Sequence, residues 1–276
     1  MNKVMTGIAF FGVIGLIGTA VAFADEEAPG YAGGAVSDGG SIAGKITFKG
    51  ATPEPKKFDL KKFPNPGFCG KLSDGKGNRE LVEVKVGKDG VLSDVVVYIE
   101  DITKGKEFKT AAAGTDVEAD TCRFMVKGGA SEFTGVVVKK TDIRVKNMDA
   151  DPTDPKAATG VLHNPHGYEV FGSSNNTMFN VPLPDKGGVV TKKVVLRKKE
   201  SFMKLECDQH NFMNAYFLPV SNPYYATVGA DGSFKIEDVP AGTYEVIAWH
   251  PILGKQEAKV TVAAKGAATQ NFSFAK

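Results

Sequence analysis

Cys207, His210 and Met213 stand at the spacing Cys-x2-His-x2-Met within Cys207-Asp208-Gln209-His210-Asn211-Phe212-Met213. A soft thiolate, an imidazole and a thioether gathered this closely are the donors of a mononuclear copper site. Such a site takes one Cys, two His and a weak axial Met. The preceding run, Phe202 to Cys207, alternates in the manner of a strand, which sets Met203, Leu205 and Cys207 on one face and aims Cys207 inward at the strand end. The loop beyond can fold His210 and Met213 back toward the sulfur. The remaining ligand must come from elsewhere in the chain, and Val161 to Tyr168 offers two candidates, His163 and His166.

The elements that position these residues read as strands. Ile42, Ile46 and Phe48 follow a period of two, as do Val82, Val84 and Val86, while Val95 to Ile99 has the continuous apolar character of a strand buried on both faces. Further strands are expected at Val136 to Val138, at Ile143 with Val145, at Val194 to Leu196 and at Phe202 to Cys207. No amphipathic pattern of ten or more residues signals a helix, so the fold class is all-β.

The ends of the chain carry their own signals. Met-Asn-Lys, an apolar stretch to Ala22, and Ala22-Phe23-Ala24 before Asp25-Glu26-Glu27 have the layout of an export signal over residues 1–24. A periplasmic or secreted location is therefore expected, with membrane attachment only if the signal stays uncleaved. Residues 25–40 form a Gly-, Ala- and Ser-rich leader. A phosphate loop is excluded there, because no Lys-Ser/Thr pair and no helix follow. The whole chain has 34 Lys plus Arg against 32 Asp plus Glu, and removing Lys3 with the signal leaves 33 against 32. That near-neutral balance gives no electrostatic grip on nucleic acid.

Three cysteines in an exported chain divide naturally into a pair and a thiol with another task. With Cys207 assigned to the metal, Cys69 and Cys122 remain, both in loop-like contexts. A bridge between them would clip the leading segment onto the following domain, and two buried free thiols are the alternative.

Two resemblances extend this reading. Ala230 to Ile236, Val239 to Val246 and Ala248 to Pro251, with Gly44 to Phe48 and Val95 to Glu100, resemble the strands of the carboxypeptidase-regulatory, or transthyretin-like, sandwich module. About 130 residues then separate its second strand from Asp231-Gly232, which implies an inserted domain. Residues 41–102 and 221–276 would form the accessory module, and 103–220 the insert.

The insert resembles the cupredoxins. Cys207-x2-His210-x2-Met213 is similar to the amicyanin-like ligand loop of that family, and His163-Asn164-Pro165-His166 to its His-Asn-x-His segment. The resemblance implies a Greek-key cupredoxin-like β-sandwich holding one type 1 copper. His163, Cys207 and His210 would be its main ligands, Met213 the axial one, His210 the more exposed imidazole and electron port, and Asn164 the residue tying the two ligand loops together. The residues around Asp149 to Thr159 depart from the family as an insertion before His163. The implied function is electron carriage without catalysis, with a c-type cytochrome, quinoprotein dehydrogenase or oxidase as partner. A periplasmic copper carrier delivering to a cuproenzyme, or a cell-surface interaction module, are the alternatives. Four histidines leave no room for a multicopper oxidase, one Cys in the loop excludes a dinuclear CuA centre, and no Cys-x-x-Cys-His attaches haem c. His250 reads as structural, and the basic run Lys192 to Lys199 as a solvated face.

Overall fold

The computed structural model describes residues 30–109, 113–127, 131 and 133–276. Residues 1–24, the expected export signal, and residues 25–29 of the expected leader lie outside them. The described residues are mostly β, with strands numbered β1 to β21 in chain order, a short α-helix, α1 (Pro66–Cys69), and three 3-10 turns.

One sandwich is built from the two ends of the described chain. In its first sheet β2 (Gly40–Lys49) pairs antiparallel with β17 (Ser233–Val239) and parallel with β20 (Ala267–Thr269) and β21 (Phe272–Ala275). Its second sheet runs β16 (Tyr225–Thr227), β5 (Val96–Ile99), β18 (Gly242–His250) and β19 (Gly254–Val262). Ile42, Ile46, Val97, Ile99, Ile236 and Phe274 meet in the core between them. Gly44 is required here, because a Cβ on it would lie 1.7 Å from the Gln270 carbonyl oxygen where the last strands cross β2.

The second sandwich comprises the sheet β13 (Val189–Lys193), β10 (Asp142–Asn147), β7 (Thr115–Ala119) and β8 (Phe124–Val126). Its companion sheet is β12 (Ser174–Asn180), β11 (Pro165–Phe171), β14 (Phe202–Cys207), β15 (His210–Pro219) and β9 (Thr134–Val137). Val117, Ile143 and Val145 from the first sheet pack on Met203, Leu205 and Phe217 from the second. Each buried aliphatic or aromatic side chain in such a core contributes about 1.5–3 kcal/mol.

The two sandwiches share a third apolar layer, where Val96, Tyr98, Ile247 and Trp249 meet Tyr216, Leu218 and Val220. This layer explains the unbroken hydrophobicity of β5. Val97 and Ile99 point into one core, and Val96 and Tyr98 point to the neighbouring sandwich.

An excursion from the first sandwich supplies the cover for the second. β3 (Lys56–Asp59) and β4 (Asn78–Leu81) form an antiparallel pair whose connection holds α1 and places Leu60, Phe68 and Cys69 in the core of the second sandwich. Residues assigned by sequence to the first module thus cover the other one. A disulfide between Cys69 and Cys122 fixes the cover, and both residues are fully buried. Two short strands, β1 (Ala32–Gly33) and β6 (Lys104–Gly105), pair in parallel near the start.

Two expected strands are corrected. Val82 to Val86 is irregular, with only Val84 buried, because the chain there turns back through isolated bridges, Val86 with Leu92 and Thr47 with Val91. Val194 to Leu196 lies just past β13, where Val194 and Leu196 are buried without ladder pairing. The strands β11 and β12 carry no clear sequence signal, since β12 is polar along most of its length.

Candidate metal centre

Cys207 ends β14 with its side chain buried, as Met203 and Leu205 are before it. A two-residue turn, Asp208-Gln209, then leads into β15. The pairing register jumps here. Glu206 faces Asn214, yet Cys207 faces His210, so Asn211 to Met213 form a bulge. Bulges re-aim side chains. This one turns His210, Phe212 and Met213 all inward while Asn211 stays exposed.

His163 reaches the same point from the other ligand segment. It exchanges two backbone hydrogen bonds with Leu183, at 3.2 and 2.8 Å, immediately before β11 begins. Gly160 permits this approach, because a Cβ there would lie 2.1 Å from the Pro184 carbonyl oxygen. Asn147 Nδ2 donates to the carbonyls of Val161, at 2.9 Å, and Leu183, at 3.1 Å, tying the two segments together.

The result is a buried cluster of three donors. The Nδ1 atoms of His163 and His210 lie 3.9 and 3.7 Å from Cys207 Sγ. One ligand atom from each of the three residues lies within 4.8 Å of the others, and all three side chains are fully buried. Metal bonds of about 2.0 Å to nitrogen and 2.3 Å to sulfur, opened to 110–120°, separate the two donors by about 3.5–3.7 Å. The observed spacing and the donor set of one thiolate and two imidazoles therefore fit a small, borderline-soft transition metal such as copper.

Each imidazole is held from behind. His163 Nε2 lies 2.9 Å from Asp149 Oδ2, and the same carboxylate accepts the backbone N–H of Thr121 at 2.6 Å and of Cys122 at 2.9 Å. Asp149 is itself fixed by its backbone N–H, which donates to Asn147 Oδ1 at 2.9 Å. His210 Nε2 lies 3.0 Å from the Pro64 carbonyl oxygen. A carbonyl can only accept, so His210 carries its proton on Nε2 and turns the Nδ1 lone pair to the cluster. Such backing fixes ring orientation and raises ligand basicity.

The sulfur is prepared in the same way. Burial pushes the Cys207 thiol up, but His163, His210 and the Asn164 backbone N–H, 3.3 Å from Sγ, outweigh it and bring the group down to about 6. Burial lowers His163, yet Asp149 and the Cys207 sulfur raise it to about 9. Between those values the metal-free pair is a thiolate facing an imidazolium, sharing one proton. An incoming ion must expel that proton from His163 Nδ1. Loading with Zn(II), a redox-inert probe, is therefore expected to release one proton from this pair near pH 7.5, falling toward none as pH rises through 9. An indicator in weakly buffered solution reads it. A thiol beside a neutral imidazole would release the same single proton, so the thiolate's ultraviolet absorbance in the metal-free protein separates the two, and its absence at pH 7.5 would mean that Cys207 is an ordinary thiol.

Asn164 joins the two ligand segments. Besides its N–H to Cys207 Sγ, its carbonyl accepts from Asp208 N at 3.2 Å and its Nδ2 reaches Asp208 Oδ2 at 3.2 Å. Met213 is buried in the same apolar cluster as Cys207 and lines a cleft of about 170 Å³ with Arg79, Arg123, Phe212 and Asn214. His166 stands apart from the donors. Its Nδ1 lies 3.0 Å from Asp208 Oδ1, its Nε2 lies 2.9 Å from Thr177 Oγ1, and its ring stacks on Tyr168.

One expectation is overturned. His210 is not an exposed electron port but fully buried, because Pro64 caps its Nε2 and Phe212, with Phe58 and Phe63 against it, walls the ring. Sequence reasoning also missed Asp149 and Pro64. Asp149 opens the polar stretch that reads as a family-departing insertion, and Pro64 acts through a backbone oxygen, which no side-chain pattern signals. His250 lies in the other sandwich, buried, with Nδ1 accepting from Ile252 and Leu253 N–H. Its neighbours there are structural.

Comparison with known proteins gives sparse results. Residues 197–270 match the family model of polysaccharide lyase family 4, domain II, a stretch running from before β14 to the end of β20. No curated protein matches the chain. A solved structure, the Cu-containing nitrite reductase NirK from Thermus scotoductus SA-01, is 14% identical, with 39% of this chain aligned to 23% of that one at a TM-score of 0.27. In sequence, then, this chain is similar to a lyase-associated β-sandwich domain over about a quarter of its length.

Proposed function

We propose that this protein binds one copper ion through His163, Cys207 and His210, with Met213 as a weak fourth donor, and serves as an electron carrier outside the cytoplasm. The observation that carries the reading is the convergence of two Nδ1 atoms on one buried thiolate, each imidazole locked from behind by Asp149 or Pro64. Copper held by such a set supplies a one-electron Cu(II)/Cu(I) couple. The chain's own part is to hold both histidines and the sulfur in one arrangement, exclude water and keep Cys207 deprotonated.

Retention is favoured over delivery. All three donors are fully buried beneath a disulfide-clipped cover, which suits an ion kept through many electron exchanges better than one handed to a chelating acceptor. The disulfide supports a periplasmic or secreted setting. The partner would be a c-type cytochrome, quinoprotein dehydrogenase or oxidase, and the paired chain ends would form a transthyretin-like module that braces the cupredoxin-like one.

Copper-loaded protein with its disulfide intact is expected to bind one equivalent and show an intense visible thiolate-to-Cu(II) band with a reversible potential. Stoichiometric copper without that band would contradict the reading. Met213→Leu is expected to keep the band and shift the potential, as befits a weak axial donor. A band lost with Met213 would make the thioether a principal ligand.

A further inference from the structure

Cys69, Cys122 and His210 form a second donor group: the two sulfurs and one His210 ring nitrogen lie within 4.8 Å of one another, and all three side chains are fully buried. The disulfide is thus built into the wall of the metal centre. Its two half-cystines also sit beside the groups that hold the histidines. Cys122 N–H donates to Asp149, which backs His163, and Cys69 closes the helical turn that starts two residues after Pro64, whose carbonyl backs His210.

We infer that, with the Cys69–Cys122 bond open, these two thiols and His210 make a second, soft-metal site that takes Cu(I). Opening the bond takes two electrons and two protons, which a dithiol supplies as it closes to its own disulfide, and no atom leaves the protein. Both thiols give up their protons as the metal binds. Two thiolates and an imidazole, with no carboxylate in the donor set, select a soft monovalent ion over hard divalent ones. His210 belongs to both donor groups, so an ion held by the thiols lies one ligand away from Cys207. Closing the disulfide removes two of its three donors. Both sulfurs are buried in the finished fold, which assigns the open form to the chain before its cover is locked.

This inference does not depend on Cys207 being a ligand, and its test removes Cys207. Full-length Cys207→Ser protein, kept reduced with a dithiol and then freed of it anaerobically, is titrated with the Cu(I) bis-bicinchoninate complex. The disulfide-bonded form of the same variant is titrated in parallel. The reduced form is expected to withdraw one Cu(I) at least about 100-fold more tightly than the disulfide form, and His210→Asn in that background to weaken uptake by about tenfold or more. Equal uptake by the two forms would overturn the site. So would uptake by the reduced form that is indifferent to His210→Asn, since that is the behaviour of a loose or unfolded dithiol. Neither result bears on the visible band of the disulfide-bonded wild type.

Discussion

Cys207→Ser is expected to abolish the visible copper band and to lower the copper affinity of the disulfide-bonded protein by on the order of a thousandfold or more. That exceeds the roughly 10–100-fold cost of losing a partner behind a ligand. The serine hydroxyl fits the space but does not ionise at neutral pH. The two Nδ1 atoms then face a neutral oxygen, and the soft donor that selects copper is gone. The substitution leaves Asp149, Pro64 and Asn164 in place, so the fold should lose no more than about 1–3 kcal/mol, the cost of an imperfectly satisfied buried polar group. Isothermal titration of copper, with a chemical melt of the metal-free variant, separates the two effects. Copper binding within tenfold of wild type would remove the thiolate from the site.

Asp149→Ala should act on stability as strongly as Cys207→Ser acts on the metal. Asp149 accepts from Thr121 N, Cys122 N and His163 in a buried position. Its removal strands two backbone donors and leaves a buried imidazole without its charge partner. Breaking a buried pair of this kind costs about 3–5 kcal/mol. The metal-free variant should therefore melt at markedly lower denaturant. Of the two groups that raise His163 one is lost and the Cys207 sulfur remains, so the imidazolium–thiolate form of the metal-free pair should be less populated at neutral pH, read as weaker thiolate ultraviolet absorbance. Asp149→Asn keeps one acceptor oxygen, which can serve either Thr121 N or the Cys122 N and His163 Nε2 pair, and turns its NH2 toward the other side. It should recover much of the stability while still lowering metal affinity by about 10–100-fold. Stability unchanged in Asp149→Ala would contradict the role assigned to the carboxylate.

The elements of the site differ in how visible they are in the chain. The Cys207 to Met213 loop can be read because its donors are contiguous and chemically distinctive. His163 can be picked over His166 only through resemblance to a family motif. In the structure the difference is geometric: His163 precedes β11 and faces inward, whereas His166 lies on β11 among Asp208, Thr177 and Tyr168. Val95 to Ile99 announces double burial, but the reason, a second sandwich packed on its outer face, needs the three-dimensional arrangement. The period of two at Val82 to Val86 misleads because irregular chain can alternate without pairing. The burial of His210 is hidden for a related reason. Its cover, the segment between β3 and β4, lies some 130 to 150 residues away in sequence and reads as part of another module.

X-ray absorption at the copper edge of the loaded, disulfide-bonded protein tests the copper assignment most directly. The expected nearest shell is one sulfur and two imidazole nitrogens, with the sulfur lost in Cys207→Ser and one nitrogen lost in His163→Ala. A shell of nitrogen and oxygen without sulfur, or one unchanged by either substitution, would contradict it.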